Sequence, residues 1–124
     1  MSVLVDSSVW IDYFRNGTDL LDQLIEEDLV VANDIILSEL IPALKLQKQE
    51  DVIESLLSLE LVELNIDWKL IREYQIINLQ NGINKVGIPD LIILQQTIEQ
   101  NLYLFSLDKH FKLMQKHFDF KMFE

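Results

Sequence analysis

Val3-Leu4-Val5-Asp6-Ser7-Ser8-Val9-Trp10-Ile11-Asp12-Tyr13 is the stretch that decides the fold. Its first three residues form a short apolar run, which reads as a buried strand. Asp6 closes the run. Ser7 or Ser8 can then cap a helix through about Phe14, and Arg15-Asn16-Gly17 ends it.

The same alternation continues outward. Residues 19–27 read as an amphipathic helix, 29–32 as a strand, 34–48 as a helix containing Pro42, and 50–57 as another helix. A strand is expected at 61–64, then a long helix over 67–79 that ends near Asn81-Gly82 and opens with Trp68 as a packing anchor. Pro89 suits the first turn of a helix running to about Gln100, because its missing N–H would have no partner there. Residues 102–105 read as a strand, 108–117 as a helix, and 120–123 as a last edge strand. Strands separated by helices in a chain this short imply an α/β fold: a parallel sheet with helices on both faces. In such a fold the helix N-termini lie at the C-terminal edge of the sheet, where open sheets bind their ligands.

Bulk properties agree with one domain over residues 1–124. The length is that of a common domain, 49% of residues are hydrophobic, and only three Gly and two Pro interrupt the chain. The absence of cysteine excludes disulfides, thiolate zinc sites and cysteine nucleophiles. The start has no basic n-region, and the longest aliphatic runs, such as 91–94, fall far short of the ~20 residues of a membrane span. A soluble cytoplasmic domain with no membrane partner is the expectation. The net charge of −11 sits in one place: residues 19–67 hold 13 acids against Lys45 and Lys48, while the rest is neutral. That stretch is either a solvated face or a landing site for a basic partner.

Four acids fall on the ligand-binding edge. Asp6 ends the first strand, Asp90 follows Pro89 in the first turn of its helix, Asp108 follows a strand by three residues, and Glu39 lies among Ile35, Ile36, Leu37, Leu40 and Ile41. Singly, each has an ordinary explanation, since carboxylates cap helix N-termini and complement the dipole. Together they would repel and raise one another's pKa unless a cation sat among them. Oxygen ligands without His or Cys suit Mg²⁺ or Mn²⁺ rather than zinc or copper.

The opening stretch, with Leu37-Ser38-Glu39-Leu40, Ile88-Pro89-Asp90-Leu91-Ile92-Ile93 and Leu104-Phe105-Ser106-Leu107-Asp108-Lys109-His110-Phe111, resembles the PIN-domain family, and within it the VapC-type toxins of toxin–antitoxin pairs. The resemblance implies a five-stranded parallel sheet with the first and fourth strands adjacent. It implies one or two Mg²⁺ or Mn²⁺ ions held by Asp6, Glu39, Asp90 and Asp108, and hydrolysis of RNA by a metal-activated water. Ser7 and Ser106 would orient carboxylates or water; as plain caps they need no such role. An antitoxin partner with a basic tail and a homodimer are also implied. Two departures stand out: Ser106 replaces a frequent Thr, and His110 replaces a frequent further Asp.

Three expectations complete the reading. Pro42 lacks the N–H that would bond to the Ser38 carbonyl, so it is expected to kink or split the helix near Glu39. Lys109, Lys112 and Lys116 recur at helical spacing as a possible RNA track or a solvated face, with Arg15 and Lys85 as further candidates. Phe111, Met114 and Phe118 would anchor that helix to the sheet. Two other functions use the same residues: a metal-dependent phosphatase or DNA nuclease, and a catalytically weak PIN-like module that binds RNA or protein.

Overall fold

The computed structural model describes residues 1–124. Its elements are β1 (Val3–Val5), α1 (Ser7–Asn16), α2 (Asp19–Glu26), β2 (Val30–Ala32), α3 (Asp34–Leu46), α4 (Glu50–Leu57), β3 (Glu60–Leu61), α5 (Trp68–Gln80), α6 (Ile88–Glu99), β4 (Tyr103–Phe105), α7 (Lys109–Met114) and β5 (Lys121–Met122). The sheet has five strands in the order β3-β2-β1-β4-β5, and every neighbouring pair is parallel. β1 and β2 are buried throughout because helices cover both faces.

The topology places the functional edge. From β1 the chain steps to β2 and β3 on one side, then crosses back to β4 and β5 on the other. Right-handed crossovers therefore put α1 to α4 on one face and α5 to α7 on the opposite one. The packing agrees, with α3 against α1 and α4, and α5 against α6. β1 and β4 are the neighbours whose connections leave in opposite directions, so the crevice opens at their C-terminal ends.

Local chemistry accounts for most boundaries. Gly17, at φ 69°, closes α1 by donating its N–H to the Tyr13 carbonyl. The Asn33 side chain caps α3 by accepting from Ile36 N–H, and Asp67 caps α5 by accepting from Leu70 N–H. Four expectations need correction. Pro42 does not split α3, which runs unbroken from Asp34 to Leu46. Buried Ile36, Leu37, Leu40 and Leu44 clamp the helix on both sides of the proline, and Ser38 is exposed, so water can reach its turn. The third strand is Glu60–Leu61 rather than 61–64. Trp68 is 54% exposed and anchors nothing. Helix α7 stops at Met114, where the chain tightens to bonds from Lys116 N–H to Leu113 and from His117 N–H to Met114. That tightening carries Phe118 and Phe120 inward and leaves Lys116 off the helix, so the three lysines do not form one helical stripe. The apolar face is as expected: Phe111, Met114 and Phe118 are all buried.

Candidate active site

Asp6 is the rigid member of the acid group. Its N–H extends the β-ladder by donating to Phe105 O at 2.9 Å, and the residue is 5% exposed. It occupies the N-cap position of α1 without capping it. Instead its Oδ2 accepts from Ser8 Oγ at 2.8 Å and Ser106 Oγ at 2.9 Å, leaving Oδ1 without a protein donor. Both serines are fixed in turn, since Ser8 Oγ accepts from Leu107 N–H and Ser106 Oγ from Asp108 N–H, each at 3.0 Å. These bonds join the turn after β1 to the turn after β4.

Asp108 does cap α7. Its Oδ1 accepts from His110 N–H at 2.9 Å and also meets His110 Nδ1 at 2.9 Å. Asp90 sits in the first turn of α6 behind Pro89, with Gly87 at the N-cap, and no hydrogen bond reaches its carboxylate. Burial pushes the Asp90 carboxyl up to about 6, the charges of Asp108 and Asp6 push the same way, and His110 opposes them. Glu39 belongs to an exposed turn of α3, yet enough of its carboxyl is shielded that partial burial raises its pKa, with Asp6 and Asp90 adding to the rise. A long 3.4 Å bond from Ser7 Oγ lowers it.

The expected four acids therefore lie within reach of one another's charge, at the edge where β1 and β4 end. As the side chains stand, no three His, Asp or Glu groups are gathered tightly enough to hold a metal ion. The donor set nevertheless suits a hard divalent cation: carboxylates only, two of them with pKa values raised by burial and by neighbouring acids, and Asp6 and Asp108 each with one oxygen free of protein donors.

Ser106 stands where expected, and Ser7 touches Glu39 only weakly. Ser8 went unassigned beyond a possible cap, although it is the hydroxyl that joins Asp6 to the turn after β4. Two adjacent serines cannot be told apart by spacing alone. His110, which replaces a frequent further Asp, lies on Asp108. Lys85 is exposed on the loop before α6, and Arg15 is exposed at the end of α1. Lys112 pairs with Glu124 at 3.1 Å.

The PIN-domain family model matches residues 3–116, so this chain belongs to the PIN-domain family. Among solved structures its fold is similar to VapBC-1 of nontypeable Haemophilus influenzae: TM-score 0.78, 18% identity, covering 100% of this chain and 98% of that one. DNA-bound VapBC of Salmonella typhimurium gives a TM-score of 0.73 at 17% identity over 90% and 91% of the two chains. VapBC2 of Rickettsia felis, bound to a fragment of its promoter, gives 0.71 at 19% over 100% and 98%. Comparison with curated protein sequences gave no significant match.

Proposed function

We propose that this chain is the toxin of a toxin–antitoxin pair and acts in the cytoplasm as a Mg²⁺- or Mn²⁺-dependent endoribonuclease. Family membership and the likeness to VapBC complexes over nearly the whole chain support the class. The observation that carries the chemistry is the group Asp6, Glu39, Asp90 and Asp108 at the sheet's ligand-binding edge, where burial and the neighbouring acids' charges raise the pKa of Glu39 and Asp90.

A bound divalent ion supplies charge stabilisation at phosphorus and lowers the pKa of its water. Asp6, held by Ser8 and Ser106, is the pre-oriented ligand, and Asp108, held by His110, is the second. Asp90, uncommitted by any hydrogen bond, would be free to join them as a ligand. Glu39 would complete the set from an exposed turn of α3. Ser106 and Ser8 aim Asp6 by donating to it. A divalent ion there would offset part of the charge of the four acids, so the edge that meets a phosphate backbone would be less negative than the net −11 implies. The antitoxin would present a basic tail to the acidic stretch 19–67, and the toxin would pair as a homodimer.

The test uses the purified chain, freed of any partner, on single-stranded RNA and on DNA of the same sequence, with Mn²⁺ and with chelator. Cleavage of the RNA only when metal is present is expected. RNA left intact by the metal-loaded protein would sink the reading.

A further inference from the structure

A groove between α1 and α3 starts at Glu39 and leads away from the acids. Ile11, Phe14 and Arg15 form one wall and Glu39, Ala43 and Gln47 line the other, enclosing about 320 Å³. Glu39, Ala43 and Gln47 follow each other at intervals of four, so they lie in one row along α3. Ala43 is the short side chain in that row, and its size keeps the groove open between a carboxylate and an amide. The volume lies at the lower end of the ~300–1,000 Å³ range of small-ligand pockets, suited to one flat ring.

Three features point to the occupant. Phe14 is 37% exposed, and its ring is already backed by Trp10, 5.9 Å away and only 30° from parallel. A stacking surface is thus in place before any ligand arrives. Arg15 is exposed and makes no ion pair, in a chain whose pairs are Lys45–Glu50, His110–Asp108 and Lys112–Glu124. Gln47, at the end of α3, offers both a donor and an acceptor. An apolar peptide side chain would use Phe14 and Ile11 equally well but would leave Arg15 without a counter-charge. A nucleotide supplies the ring and the anion together.

We propose that this groove receives the nucleobase adjoining the scissile phosphate of a single-stranded RNA, stacked on Phe14, read at its edge by Gln47, with Arg15 on the neighbouring phosphate. The inference rests on the endoribonuclease reading above. Stacking accepts any base, so Gln47 carries whatever preference the position has.

An abasic scan tests it. A short RNA with one cleavage site is made as a series, each member lacking the base at one position, and is cut by the wild-type protein with Mn²⁺. Losing the base at one position beside the cleaved bond should lower kcat/KM about tenfold or more, the order of one lost stacking contact. Loss elsewhere should matter little. Ala43→Phe fills the groove beside Glu39, so at saturating Mn²⁺ it should show the same loss on intact RNA and no further loss on the abasic substrate. Should Ala43→Phe fail to fold, Gln47→Ala on the exposed end of α3 replaces it and should erase discrimination among the four bases at that position. An active wild type with a flat abasic profile overturns the inference and leaves the ribonuclease reading standing. Normal cleavage by Ala43→Phe with loss of a co-purified protein would make the groove a protein dock and also overturn it. A wild type that cuts no RNA at all removes both.

Discussion

Helix α6 carries Asp90 in its first turn and Gln95 and Gln96 less than two turns on, and the two regions treat partly or fully buried polar groups in opposite ways. Gln96 Oε1 accepts from Asn33 Nδ2 at 2.6 Å, and its Nε2 donates to Glu63 O at 3.0 Å and more weakly to Val62 O. Gln95 accepts from Asp67 N–H and donates to Asn65 O and Glu99. These amides are almost fully buried and almost fully paired, and they tie the chain after β3 to the middle of the molecule. At the other end the Asp90 carboxyl is pushed up to about 6, has no hydrogen-bond donor, and faces two other acids. A satisfied buried group serves the fold. An unsatisfied one beside like charges weakens it, and is explained by what it binds.

The largest effect should come from breaking the acid end. Asp90→Asn keeps the shape and removes the charge, and losing one preorganised electrostatic element typically costs ~10²–10³ in rate. Metal-dependent RNA cleavage by the purified variant should fall by that order, and a wild-type rate would remove Asp90 from the site. Next comes the device that aims Asp6. Ser106→Ala takes away one of two hydroxyl donors to Oδ2, and outer-shell losses of this kind cost ~10–100-fold in metal affinity or activity. Isothermal titration with Mn²⁺ should show weaker binding by an apoprotein whose melting temperature has changed little.

The amide end should respond in the opposite sense. Gln96→Ala leaves the Asn33 amide and the Glu63 carbonyl without their partners, which costs ~1–3 kcal/mol for a stranded buried group. Urea unfolding should detect that loss, while metal affinity per folded molecule stays unchanged.

The pH dependence of the apoprotein sharpens the contrast. Asp90 has a folded-state pKa of about 6 against 3.8 for the free group, so the folded state holds the proton more tightly. Its stabilising share is complete below about pH 4 and is lost as pH rises through about 6. With screening of a half-exposed group allowed for, the loss is on the order of 1–2 kcal/mol. In chelator, wild type should lose stability across that window, and Asp90→Asn should lose less, keeping only the share that raised Glu39 contributes. A flat wild-type profile would mean that burial and the neighbouring acids do not raise Asp90 as described. The smallest effect concerns the basic residues after Asp108. Lys112 is engaged with Glu124 and Lys116 lies off the helix, so changing both to Gln should flatten the salt dependence of RNA binding by no more than ~0.7 per lost phosphate contact.

Much of this was legible in the chain itself. Short apolar runs alternating with amphipathic ones specify strands and helices by their period, and that alone implied a parallel sheet with Asp6, Asp90 and Asp108 at helix starts along one edge. That the first and fourth strands are neighbours came with the family resemblance, and the observed sheet bears it out. Boundaries and partners were beyond reach where distant residues decide them. The last turn of α7 yields to the inward pull of Phe118 and Phe120, which periodicity over residues 108–117 does not register. Pro42 leaves α3 unbroken because the packing of Ile36, Leu37, Leu40 and Leu44 outweighs one missing hydrogen bond. Ser8 meets Ser106 across 98 positions of sequence, and Asn33 meets Gln96 across 63. Periodicity is a property of neighbours along the chain and can be read from them. Which hydroxyl faces which carboxylate depends on how two strands and their turns come together, and only the packed sheet decides that.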